Sequence, residues 1–171
     1  MASAKIILLS VLAAVVYGIL HDQVTARICV EYFTVGHPRL IDSDSPTILA
    51  FFWGFVATWW VGLPLGIGLA FFARVGSRPK LEARDLLLPL LVLLLVMYAI
   101  AAFAGITGYF AAKTGEVRIL DDTLADRIRP GQIVPFIACA WAHSASYLSG
   151  FLGGITLWGL TWQRRGKLPS A

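Results

Sequence analysis

The side chains of this sequence that could do chemistry fall into two groups. The first is the run His21-Asp22-Gln23-Val24-Thr25-Ala26-Arg27-Ile28-Cys29-Val30-Glu31-Tyr32-Phe33-Thr34-Val35-Gly36-His37-Pro38. The second is Cys139, His143, Ser144, Ser146 and Tyr147, in which Cys139 and His143 stand one helical turn apart on one face. All three histidines of the chain lie in these groups. Imidazole together with carboxylate is the ligand set of zinc, copper and non-haem iron. The pattern therefore predicts a metal site with His21 and His143 as leading ligands and with Asp22, Glu31 and His37 as additional or supporting ones. A transition metal such as iron, copper or zinc, or a metal cofactor, is the expected guest, and redox chemistry its expected use.

Spacing restricts that site. On an unbroken helix Glu31 lies roughly 15 Å beyond His21, so the two can share one ion only if the helix breaks between them. Arg27 and Glu31, four residues apart, are suited to an ion pair on a helix that continues past Thr25. Gly36 ends that helix and Pro38 prevents its resumption. His37 reaches the site only if its loop folds back. No HxxxH, HExxH or ExxH ligand pair is present.

The same residues admit two other readings. One is a buried hydrogen-bond network that cross-links helix ends, since polar groups inside a bundle need partners whether or not they do chemistry. The other is a relay for protons or substrate, a use that suits histidine. Cys29 and Cys139 either join in one disulfide or stay apart, with Cys139 packed as a small apolar side chain; the second is the expectation. A thiol-redox enzyme would carry CxxC, which is absent, as are a P-loop, a dinucleotide fingerprint and GxSxG. Ser144 and Ser146 beside His143 do not constitute a triad, because sequence adjacency is not the required geometry.

The elements that must position these groups follow from composition. At 58% hydrophobic and 14% charged residues, with a mean hydropathy of +0.75, the 171 residues exclude intrinsic disorder and argue against a soluble enzyme. Four apolar runs are long enough to cross a bilayer as helices, at about 5–25, 47–73, 86–112 and 133–162. The first is read as a retained helix, although Lys5, the apolar run after it and Val24-Thr25-Ala26 also match a secretory signal peptide. Eight basic and two acidic residues lie at the chain ends and in the 74–85 connection, net +6, against net −2 on the other side, Asp22 included. Lysine and arginine mark the cytoplasmic side, so both termini are expected there. The overall charge of +4 is then a topology signal, and no basic patch for nucleic acid exists.

The expected fold is an all-α membrane protein. It is one domain of four transmembrane helices, an up-down-up-down bundle in a bacterial-type inner membrane, with exterior loops at about 26–46 and 113–132. Ser77-Arg78-Pro79-Lys80 should turn tightly, and residues 121–128 should form a brief surface helix ended by Pro130-Gly131. Small residues must let the helices approach. Ala138, Ala142, Ala145 and Ser149, with the GxxxG pairs Gly150/Gly154 and Gly62/Gly66, are expected to pack within the bundle. Pro64 should kink the second span. Phe51 to Trp53 fit an interfacial belt, whereas Trp59 and Trp60, deeper in the span, should face the bundle. Arg164-Arg165-Gly166-Lys167 reads as a topology anchor that meets anionic lipid.

The resulting functional reading is a small membrane protein with an exterior-facing His/carboxylate pocket that binds a metal ion or metal cofactor. The alternative is a non-catalytic structural or assembly subunit of a larger membrane complex, and the third is an oligomeric transporter. The bilayer is the first partner in each case, and other membrane proteins or further copies of the chain the next.

Overall fold

The computed structural model describes residues 1–169, and among these it is helical with no strand. Helix α1 runs from Ala2–Ile28 and is followed by the single turn α2, Glu31–Thr34. The second long segment is divided into α3, Pro46–Val56, and α4, Trp59–Arg74. Helix α5 spans Ala83–Lys113, α6 is the turn Asp122–Ala125, and α7 spans Ile133–Gly166 after a 3-10 turn at Pro130–Gln132. The short α6 and the Pro130 turn fall where turn chemistry places them: the Asp121 carboxylate accepts from the backbone N–H groups of Thr123 and Leu124.

Local chemistry sets the ends of α5. Glu82 and Asp85 cap each other's backbone N–H groups reciprocally at its start. At its end Gly115 adopts φ +81°, and the N–H groups of Glu116 and Gly115 bond the carbonyls of Ala111 and Ala112 at 2.9 and 3.1 Å. That paired arrangement needs a left-handed residue, which glycine adopts without steric cost.

Three segments are long and apolar enough to cross a membrane: α1, α3 with α4, and α5. Helix α7, at 34 residues, is long enough, but His143, Ser144, Ser146 and Ser149 make it less apolar. Leu12 and Val16 on α1, Leu88 and Leu95 on α5, and Leu148 and Leu152 on α7 all face outward. An apolar outer surface of that extent is consistent with a membrane protein.

Helix approach is governed by small residues, as the sequence implies. Cβ atoms added to Gly62 and Gly66 would fall within 2.8 Å of Ala14 and Ser10 side chains on α1, and one on Gly154 within 2.9 Å of Leu65. Both GxxxG pairs are therefore used inside the chain. The core separates into two ends. One holds Ile6, Leu69, Ala73, Leu86, Leu90 and Leu157; the other holds Ala26, Phe33, Leu49 and Trp53 beside Cys29, Phe136 and Cys139. We call these the basic end, after the 74–84 turn, and the site end.

Several expectations are corrected here. The second segment, expected as one helix, is interrupted at Ala57–Thr58, ahead of Pro64, which lies inside α4. The Ala57 carbonyl exposed by the break accepts from the Tyr147 hydroxyl at 3.4 Å, which makes the irregular backbone tolerable. Trp59 and Trp60 face outward, at 42% and 55% exposed, while Trp53 is buried. Arg165 meets backbone carbonyls and no lipid, because it is 0% exposed.

Candidate metal centre

Helices α1 and α7 run antiparallel, and their polar residues meet in a ladder with one rung per turn. The Cys139 thiol lies 3.9 Å from the Thr25 carbonyl. On the next rung His21 Nε2 is 3.3 Å from His143 Nδ1. On the third the hydroxyls of Tyr17 and Ser146 are 2.8 Å apart. The residues on α1 are spaced by four, so a single face presents all of them.

Asp22 joins the middle rung, its Oδ1 3.0 Å from His143 Nε2. His143 Nδ1 is also 3.0 Å from the Cys139 carbonyl of the preceding turn. His21, Asp22 and His143 are 8%, 5% and 8% exposed, so the cluster is shielded from bulk water. One ligand atom from each residue lies within 4.8 Å of the other two, close enough for the three to hold a metal ion. A tetrahedral site with bonds near 2.05 Å has edges of about 3.3 Å, the separation of His21 Nε2 and His143 Nδ1, whereas Asp22 faces the other His143 nitrogen and must shift to join them.

The other two sequence candidates are placed differently. The helix does break between His21 and Glu31: Cys29 is extended, with φ −152° and ψ 100°. Glu31 nevertheless turns away from the cluster and hydrogen-bonds Arg129 Nε, with the Cys29 thiol donating to its other oxygen at 3.6 Å. The expected Arg27–Glu31 pair is absent, because the break removes the i, i+4 relation; Arg27 bonds Gln23 and Thr47 instead. The His37 loop folds back over the site end. Its Nδ1–H donates to the Tyr32 carbonyl at 2.8 Å, and its ring lies 4.6 Å from that of Trp53 and 5.0 Å from that of Tyr32. Tyr32 in turn lies 4.4 Å from the His143 ring. An aromatic layer of Tyr32, Phe33 and Trp53 thus roofs the cluster, with His37 among these rings. Cys29 and Cys139 are both free and buried.

Sequence reasoning missed two contributors. Tyr17 is one turn before His21, and the spacing Ser10, Tyr17, His21, Thr25 is a polar stripe at helical period that an apolar helix has no other reason to carry. Tyr32 gave no such signal, because its place depends on the break at Cys29.

The Glu31–Arg129 pair ties the first connection to the second, and its pH dependence is calculable in sign. Burial, the largest single influence, raises the Glu31 carboxyl, but the hydrogen bond and charge of Arg129, together with hydrogen bonds from the Glu31 backbone N–H and the Cys29 thiol, hold the group below its ordinary value of 4.5. A depressed carboxyl stabilises the fold above that ordinary value, and the contribution disappears as pH falls through the folded value. Comparing melting temperatures of wild type and Glu31→Gln should show wild type higher at pH 7 and the gap closing below about pH 4. A gap of constant size across that range would show that the carboxylate charge contributes nothing.

No family model matches the chain, and no curated protein or solved structure is similar to it. The functional reading therefore rests on the geometry.

Proposed function

We propose that the protein is a membrane metalloprotein that holds one transition-metal ion with His21, His143 and Asp22. The observation that carries the reading is the convergence of two imidazoles and a carboxylate, from helices more than 120 residues apart in sequence, in a buried cluster of ligand spacing. Two histidines and one carboxylate suit zinc, copper or iron, and three protein ligands leave a position open for a further ligand. Iron or copper there would supply redox chemistry, and zinc a Lewis acid. An ion takes the place of the protons shared among these groups, so its affinity rises with pH.

The placement we propose in the membrane is four spans with both termini cytoplasmic and the centre near the exterior face of an inner membrane. Its support is the charge asymmetry, +6 against −2, together with the gathering of Arg74, Arg78, Arg164 and Arg165 at the end opposite the cluster.

Metal analysis of protein purified in detergent, after reconstitution with each ion in turn, tests the function. One equivalent of one metal is expected, lost in His21→Ala and in His143→Ala and retained in His37→Ala. No stoichiometric metal under any loading condition would overturn the reading.

One observation favours a second reading. Both nitrogens of His143 already face protein partners, as they would in a purely structural network. Such a protein would serve as a scaffold within a larger membrane assembly. It predicts that His143→Gln keeps full thermal stability and that partner subunits co-purify in a mild detergent.

A further inference from the structure

Two spaces meet at His21. One is a partly open cavity of about 100 Å³ bordered by α1, α4, α5 and α7, which begins at the polar cluster and continues toward the basic end past Ala14, Leu65 and Leu94. The other is a groove of about 350 Å³ between α1, α5 and α7. Ala101, Ala102, Gly105, Ala138 and Ala142 line the groove, so small side chains leave its floor open. Along its rim Val24, Ile28, Ile106 and Phe110 are 44%, 52%, 59% and 58% exposed. These rim residues belong to α1 and α5, two segments long and apolar enough to cross a membrane, and in a bilayer the groove would open sideways to lipid.

Charge limits what can occupy it. No lysine or arginine lines either space, and the one ionisable acid is Asp22. A phosphate or carboxylate head would find no counter-charge and would meet a carboxylate. A plain acyl chain would leave polar atoms unused. His21 and Tyr98 line the groove, and neither His21 Nδ1 nor the Tyr98 hydroxyl makes a hydrogen bond among the described residues. At membrane depth an unpartnered polar atom is costly, and a neutral ligand with carbonyl or hydroxyl groups would satisfy it. Four of the lining side chains, His21, Tyr98, Tyr109 and Phe110, are aromatic rings, a lining that favours a flat head.

We infer that the α1–α5 groove binds a neutral, lipid-dissolved molecule with a planar carbonyl-bearing ring, of the quinone class, which enters from the bilayer and hydrogen-bonds His21 Nδ1 and Tyr98. The inference is independent of the metal: Nδ1 is the atom left over when His21 Nε2 faces His143. The ring then lies on the other side of the same imidazole.

The test is native mass spectrometry of the full chain released from phosphatidylcholine nanodiscs, titrated with a decyl-substituted benzoquinone. Metal-loaded and chelator-treated samples are run in parallel. Saturable binding of one molecule is expected in both. Ala102→Trp, which fills the groove from an exposed position, should weaken it at least about tenfold. Tyr98→Phe should weaken it roughly threefold to tenfold, the worth of one hydrogen bond. Phe103→Trp, outside the groove, should bind as wild type does. Absence of saturation, or Ala102→Trp binding as tightly as wild type, would overturn the proposal. Equal binding of dodecanol would overturn it too, since a chain without a ring would then suffice. Quinone binding that requires the ion would overturn its independence. Failure of the metal analysis alone leaves the chelator-treated titration as the measurement that decides this site.

Discussion

Arg165→Ala should lose more stability than any other single substitution at a charged residue of this chain. Arg165 is wholly buried, yet no carboxylate is bonded to it. Its Nε donates to the Pro79 carbonyl at 2.7 Å, one terminal nitrogen to Phe72 at 2.7 Å, and the other to Val75 and Arg78 at 2.8 Å each. Phe72 lies in the last turn of α4, whose final carbonyls have no partner within the helix, and Val75 follows directly. One guanidinium thus closes the end of α4, shapes the 75–79 turn and fixes the end of α7 against both. The negative end of the α4 dipole adds to its hold. Trp162 completes the arrangement, with Arg78 stacked 4.0 Å over its ring. Removing Arg165 strands four carbonyls, each costing about 1–3 kcal/mol when left without a donor, less whatever water enters from the membrane edge. A net loss of at least about 3 kcal/mol is expected, a large part of the whole stability of a small domain. Lysine has one compact head with three donors in place of a planar fork, so Arg165→Lys should fall between. Arg164→Ala, one residue away and exposed, should melt close to wild type. The check is thermal unfolding in detergent, followed by size-exclusion chromatography. Equal losses at 164 and 165 would show that charge at the membrane edge, and not the carbonyl clamp, is what matters.

That pair of neighbours also shows what a sequence discloses. Arg164 and Arg165 carry the same charge and follow the same apolar run, so counting charges assigns them one role. Only the azimuth of α7 against the 74–80 turn separates them, and azimuth depends on packing that no local pattern encodes. The helical segments themselves were legible, because apolar runs and their breakers act locally: the turn at Pro130 falls where its chemistry places it. His21, Asp22 and His143 were legible as a group for a related reason. Polar side chains in otherwise apolar helices at the same depth have few places to go except toward one another. The Trp59–Trp60 orientation was not legible, since it follows the Ala57–Thr58 interruption, which rotates everything after it. Glu31 was misplaced by the same kind of event, the extended residue at Cys29. In each case a single non-helical residue redirected the next segment, and periodicity measured across it became meaningless.

The close approach of α1 and α3 at Gly18 and Gly54 should be the next most sensitive point, and it lies less than one turn from the candidate metal centre. A Cβ on Gly54 would come within 2.5 Å of Ile19 Cα and N on α1, and one on Gly18 within 2.6 Å of the Gly54 carbonyl. Backbone meets backbone here, so no side chain can rotate away, and α1 and α3 must separate to admit even a methyl group. Gly54→Ala should therefore destabilise by about 1–3 kcal/mol, the usual range for overpacking, and Gly54→Leu by more. Gly159 is the contrasting case: it lies within α7 with nothing within 4 Å of an added Cβ. There the helix preference of alanine acts alone, and Gly159→Ala should stabilise by up to about 1 kcal/mol. The consequence for the site follows from helical geometry. Gly18 precedes His21 by less than one turn, so pushing α1 away from α3 also displaces His21 and Asp22 relative to His143 on α7. Metal ligands tolerate little displacement, because bonds near 2 Å define the site. Gly54→Ala should thus lower metal affinity along with melting temperature, although it touches no ligand. A Gly54→Ala protein that melts within a degree of wild type would show that the contact is looser than 2.5 Å implies. A protein that loses stability but keeps full metal affinity would show that the ligands are held by α7 and the aromatic roof, and that the α1–α3 contact supports the fold alone.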